Sequence, residues 1–121
     1  MQRFTDLIVW RRSHALALET YRHSRKFPAE ERFGLVAQLR RAVSSVPTNI
    51  AEGSKRKSNQ EYARFLNIAE GSLAETEYLL MLSRDLGYLP APVAATVLSE
   101  ADAIARMLNT LRSKVEGDRN R

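Results

Sequence analysis

The stretch SSVPTNIAEGSKRKS, residues 44 to 58, carries the strongest local chemical signal in the chain. Asn49 and Glu52 are three apart and so share one helix face, directly before Gly53 and the cations Lys55, Arg56 and Lys57. One reading is that the loop presents these cations, with Arg40, Arg41 and Arg64, to phosphates by charge rather than by reading bases. The other is a shaped corner, in which Asn49 bonds backbone groups freed by Pro47 and Glu52 pairs with Arg56 or Arg41. Tyr62 is the one aromatic candidate for base stacking near the loop, and it fits the core pattern instead, so sequence-specific recognition is not supported.

Other candidate chemistry is sparse. His14 and His23 are the only histidines. Glu19 and His23 are four apart on one helix, but no ligand on another helix echoes them, so they read as a solvated face and no metal is expected. His14 falls between Trp10 and Leu18 and is expected to be a semi-buried, hydrogen-bonded residue rather than a general base. Ser44 and Ser45 have no identifiable base, there is no phosphate-cradling glycine-rich loop, and the absence of cysteine removes thiolate chemistry, disulfides and cysteine zinc sites. No enzyme activity and no cofactor are expected.

The charge distribution supports a polyanionic or self-complementary partner. The net charge is +5, but residues 1–64 carry a net +7, residues 65–105 a net −5 and residues 106–121 a net +3. Either a basic surface meets nucleic acid, or basic and acidic faces meet between subunits. Arginine outnumbers lysine 15 to 4, which suits bidentate phosphate or carboxylate contacts, although a GC-rich genome would give the same bias. With 44% hydrophobic and 27% charged residues in 121, the chain suits a single domain over 1–121. No apolar run is long enough for a membrane span or a secretory leader, and a cytoplasmic location is expected.

Four helices must position these groups, at about 5–26, 29–53, 58–86 and 92–116. Thr5 is the expected cap of the first, whose apolar cylinder includes Leu7, Val9, Trp10, Leu16, Ala17, Leu18 and Tyr21. Pro28 with Glu30 and Glu31 opens the second, where Val36, Leu39, Val43, Val46 and Ile50 repeat straight through Pro47. A kink rather than an end is expected there, and Gly53 is the expected C-cap. Ser58 and Glu61 form a capping box for the third, with Tyr62, Phe65, Leu66, Ala69, Leu73, Thr76, Leu80 and Leu86 inward and Gly87 as its stop. LPAP precedes a fourth helix with a seam of Val97, Ala101, Ile104, Leu108, Leu111 and Val115. Short connections make the fold class all-α, an antiparallel up-down-up-down four-helix bundle kinked at Pro47, with a frayed GDRNR end.

The blocks DLIVW, FPAEERFGLVAQLRRAVSSVPTNIAEG, RKSNQEYARFLNIAEGSLAETEYLL and LGYL resemble, in order over residues 4–89, the family of proteins found as reading frames in intervening sequences of bacterial 23S ribosomal RNA genes. The resemblance implies an antiparallel four-helix bundle without established enzymatic activity, and several members form rings of five. A distant relative, the accessory variability protein of diversity-generating retroelements, is a basic pentameric ring that binds nucleic acid and a reverse transcriptase. The resemblance gives no proven role to Asn49, Glu52 or Gly53. A ring of odd order requires two different patches per subunit, and Glu70, Gly71, Glu75 and Glu77 are the expected acidic side of such a contact. The leading expectation is therefore a homo-oligomer, a pentameric ring, binding RNA or DNA with little selectivity; its rival is a scaffold or adaptor for a protein partner.

Overall fold

In the computed structural model, residues 3–118 are described; of the GDRNR end expected to fray, Gly117 is the last residue of the fourth helix and residues 119–121 lie outside those described. There are four long helices: α1 Ile8–Ser24, α2 Leu35–Ser54, α3 Asn59–Asp85 and α4 Ala91–Gly117, with single 3-10 turns at Phe4–Asp6 and Ala29–Glu31. No strand occurs among the described residues. Each helix packs on its two neighbours, α1 on α2 and α4, α3 on α2 and α4. Contacts descend along α2 as they climb α3: Gly53 meets Tyr62 and Phe65, Ser45 meets Ser72, and Gln38 reaches Glu75. This is the antiparallel order expected of an up-down-up-down bundle.

The core is made by the expected periodicity. Val36, Leu39, Val43, Val46 and Ile50 of α2 are all buried, and α4 contributes Val97, Ala101, Ile104, Leu108 and Val115. Burying each such side chain stabilises by about 1.5–3 kcal/mol. α3 departs in detail, because Leu86 is half-exposed while Leu79 and Ser83 are buried. Leu86 lies past the last helical residue, where the chain has begun to turn away from the core.

Helix ends show where local patterns yield. α1 starts at Ile8 rather than Thr5, because Phe4–Asp6 forms a separate turn and Leu7 is extended. That extended residue lets Phe4 fold back edge-on against Trp10, with ring centroids 5.1 Å apart. α2 starts at Leu35 rather than 29. The Ala29–Glu31 turn is tied across the bundle end instead, where Tyr88 donates to a Glu31 carboxylate oxygen at 2.9 Å and packs on buried Phe27. The end of α3 follows expectation: Gly87 adopts φ +82°, and the Gly87 and Tyr88 amides bond to the Arg84 and Ser83 carbonyls at 3.0 and 2.9 Å. This is a Schellman closure.

α2 runs on through Pro47, as the apolar repeat requires. In the turn ahead of it, Thr48 donates its hydroxyl to the Ser44 carbonyl and Asn49 its amide to the Ser45 carbonyl, both at 2.8 Å. Side-chain donors thus serve carbonyls in the region a proline loosens. No helix among the described residues is long and apolar enough to cross a membrane.

Candidate nucleic-acid interface

The α2–α3 corner is set by two features. Ser58 caps α3, its hydroxyl accepting from the Glu61 amide at 3.1 Å. Gly53 is not the C-cap expected from sequence. It is buried inside the last turn of α2, and a Cβ placed there would lie 2.8 Å from the Phe65 Cβ and 3.0 Å from the Tyr62 ring. The glycine lets the α2 backbone sit directly against α3, which brings the cationic loop over Phe65.

On that platform the Arg56 and Arg64 guanidiniums lie 4.6 and 4.9 Å from the Phe65 ring centroid. Arg64 also donates to the Glu61 carboxylate at 2.9 Å. That hydrogen bond, then the Arg64 charge, and last the Arg56 charge hold Glu61 below the usual carboxylate range against a small opposing effect of burial. Lys55 and Lys57 are exposed and form no ion pair among the described residues. Lys55, Arg56, Lys57 and Arg64 are therefore one cluster. Phe65, read from sequence as core, is half-buried and organises it; the Arg64–Phe65 adjacency is the local hint.

Arg40 and Arg41 do not join this cluster. They lie about 14–15 residues back along α2, roughly 20 Å at 1.5 Å per residue. Arg40 is spent on the end of α1, donating to the Ser24 hydroxyl and the Tyr21 carbonyl at 3.0 and 3.2 Å and covering the Tyr21 ring. Arg41 is exposed beside it. Asn49 faces inward, donating also to the Ser45 hydroxyl, which is 2.9 Å from the Ser72 hydroxyl on α3. Both of its bonds stay within α2, and Ser45 carries the link to α3. Glu52 is exposed on the rim of an α1–α2 groove that also contains Phe4, Trp10 and His14.

The acidic residues also divide. Glu70 is taken by Arg112 of α4, whose second nitrogen binds Glu116 at 3.0 Å. Glu100 is held by Arg12 of α1, with Nε 2.8 Å from one carboxylate oxygen. Much of the charge asymmetry along the chain is thus closed within the bundle. Glu77 is half-buried, and burial first, then the Asp102 charge, raises it above the usual carboxylate range. Glu75 is exposed and accepts a long 3.5 Å contact from Gln38. Gly71 faces open space, since a Cβ there would meet nothing within 4 Å.

His14 is exposed and stacked on Trp10 at 5.1 Å, not semi-buried as expected. The buried face of α1 runs through Val9, Ser13, Leu16, Thr20 and Ser24, which turns His14 outward. Glu19 binds Arg22 at 2.6 Å and lies 3.4 Å from His23. No group of three or more His, Asp or Glu placed to hold a metal occurs among the described residues. The Ser44 hydroxyl donates to the Arg41 carbonyl, and the Ser45 hydroxyl lies 2.9 Å from that of Ser72.

The bundle is similar to a crystal structure from Bacteroides thetaiotaomicron VPI-5482, described as a protein of unknown function from the S23 ribosomal protein family. The TM-score is 0.78 at 23% identity, covering 87% of this chain and 98% of that one, which supports the fold. No curated protein sequence matches the chain significantly. The sequence profile of the 23S rRNA-intervening sequence proteins matches residues 5–110, nearly the whole bundle. With the four helices in place and the profile spanning them, the chain belongs to the 23S rRNA-intervening sequence protein family.

Proposed function

We propose that this protein is a non-catalytic, homo-oligomeric helical bundle that binds RNA phosphates at the α2–α3 corner with little sequence selectivity. The observation that carries the reading is the cluster itself: exposed Lys55 and Lys57 beside Arg56 and Arg64, both guanidiniums steadied on Phe65. Guanidiniums laid on a ring are partly pre-ordered, so less side-chain freedom is lost on meeting a phosphate. The aromatic ring of the cluster, Phe65, is covered by the two guanidiniums rather than left open to a base.

The test is binding of a mixed single-stranded RNA pool as salt rises. Three phosphate contacts from Lys55, Arg56 and Lys57 give a slope of about −2 in log K against log salt, about a 20-fold loss between roughly 50 and 200 mM. The triple change of these residues to Ala should remove that share equally for all RNA sequences. Unchanged affinity and slope in the variant would refute the corner as the site, and RNA-independent behaviour of the parent would favour a protein-adaptor role.

A further inference from the structure

The bundle leaves two apolar helix faces uncovered, and their charges are opposite. On α1, Ile8, Arg11, Ala15, Leu18, Arg22 and Arg25 recur at steps of three and four, and all are exposed, Ile8 at 62% and Leu18 at 52%. This line lies on the far side of the cylinder from buried Val9, Leu16 and Thr20. On α3, Ile68, Gly71, Glu75, Tyr78, Met81 and Asp85 form a corresponding exposed line, with Tyr78 at 59%. The exposed charges in the first line are arginines, with Glu19 beside Arg22, and those in the second are Glu75 and Asp85, with Arg84 beside Asp85. α1 and α3 do not pack on each other, so the two faces look outward from opposite corners of the bundle.

From these faces we infer that α1 of one copy docks on α3 of the next, in a head-to-tail contact. The inference rests on the homo-oligomeric part of the function proposed above. α1 and α3 both run antiparallel to α2, so a rotation about an axis along the bundle brings α1 of one copy parallel to α3 of its neighbour. With Ile8 set against Ile68, the shared spacing puts Leu18 opposite Tyr78 and Arg25 opposite Asp85. Arg11 then falls opposite Gly71, whose missing side chain leaves room for it. The local pairs Arg22–Glu19 and Arg84–Asp85 are exposed and weak enough to rearrange. Of the residues expected at a subunit contact, Gly71 and Glu75 remain on this face, while Glu70 belongs to Arg112.

Complementation between two defective copies tests the pairing. Ile8→Glu spoils only the α1 face, opposite Ile68, and Tyr78→Arg only the α3 face, opposite Leu18; the two changes do not face each other, both positions are exposed, and folding is checked by circular dichroism. Light scattering should show a parent oligomer, each variant alone at the 13.7 kDa chain mass, and an equimolar mixture at twice that mass. Only the intact α3 of the first and the intact α1 of the second can then meet. A parent that is a monomer overturns the oligomer reading and the inference together. A parent oligomer whose variants assemble unchanged, or whose mixture stays monomeric, overturns this pairing alone. If either variant misfolds, Arg25→Glu and Asp85→Arg serve instead: each should weaken assembly and the chain carrying both should regain it. Failure to regain it overturns the pairing.

Discussion

Replacing Gly53 and Gly71 by alanine, one at a time, should move stability in opposite directions. Both are helical, so intrinsic propensity alone favours alanine by up to about 1 kcal/mol at each. At Gly71 the new methyl meets nothing within 4 Å, and the gain should appear nearly whole. At Gly53 the methyl would stand 2.8 Å from the Phe65 Cβ and 3.4 Å from the Tyr62 carbonyl oxygen. Neither atom is the far end of a flexible side chain, so α2 and α3 themselves must separate. Overpacking of this kind costs about 1–3 kcal/mol, and propensity recovers only part of it in the last turn, leaving a net loss of roughly 1–2 kcal/mol. For a chain of this length, 1 kcal/mol corresponds to about 4 °C in Tm. Gly71→Ala should therefore melt about 4 °C higher, and Gly53→Ala about 4–8 °C lower. The assay is thermal unfolding of the unassembled chain at matched, dilute protein concentration, since assembly makes Tm concentration-dependent and would set residue 71 against Arg11 of the next copy. A Gly53→Ala variant at or above the parent Tm would refute the claim that this glycine exists for the helix crossing.

Gly87→Ala should lower stability by about 1–2 kcal/mol, because φ +82° is left-handed and a Cβ clashes there; no loss in denaturant unfolding would contradict the Schellman role. Glu77 is raised by burial, so the folded state binds its proton more tightly, and stability declines as pH climbs from the ordinary carboxylate range through the raised value. Glu77→Gln should therefore be more stable than the parent at neutral pH, with the advantage vanishing near pH ~4; a Tm difference independent of pH would refute this. The salt series on the Lys55, Arg56, Lys57 variant and the mixing of Ile8→Glu with Tyr78→Arg check the corner and the helix faces independently.

The local part of this protein was legible in its residues. Helix identity followed from apolar spacing of three and four, the α3 start from Ser58 and its stop from Gly87, because each depends on neighbours within one or two turns. The passage of α2 through Pro47 was legible for the same reason. The loop cations were visible too, but not their company. Arg40 was grouped with Lys55 by sequence proximity, whereas helix length separates them by roughly 20 Å. Likewise the outward turn of His14 depends on which side of α1 meets α2 and α4, a choice that a helix apolar around most of its surface does not make for itself.

Sequence by itself determined four amphipathic helices, their order and a basic corner, since periodicity, caps and charge are local properties of the chain. Tertiary structure decided which charges are paired across the bundle. Arg12 meets Glu100, Arg112 meets Glu70 and Arg40 meets the end of α1 only when distant helices are laid side by side. It also changed the meaning of Gly53 from a helix stop to a point of backbone contact. The physical reason is that pairing and close approach are set by distance in space, which the spacing along one helix does not contain.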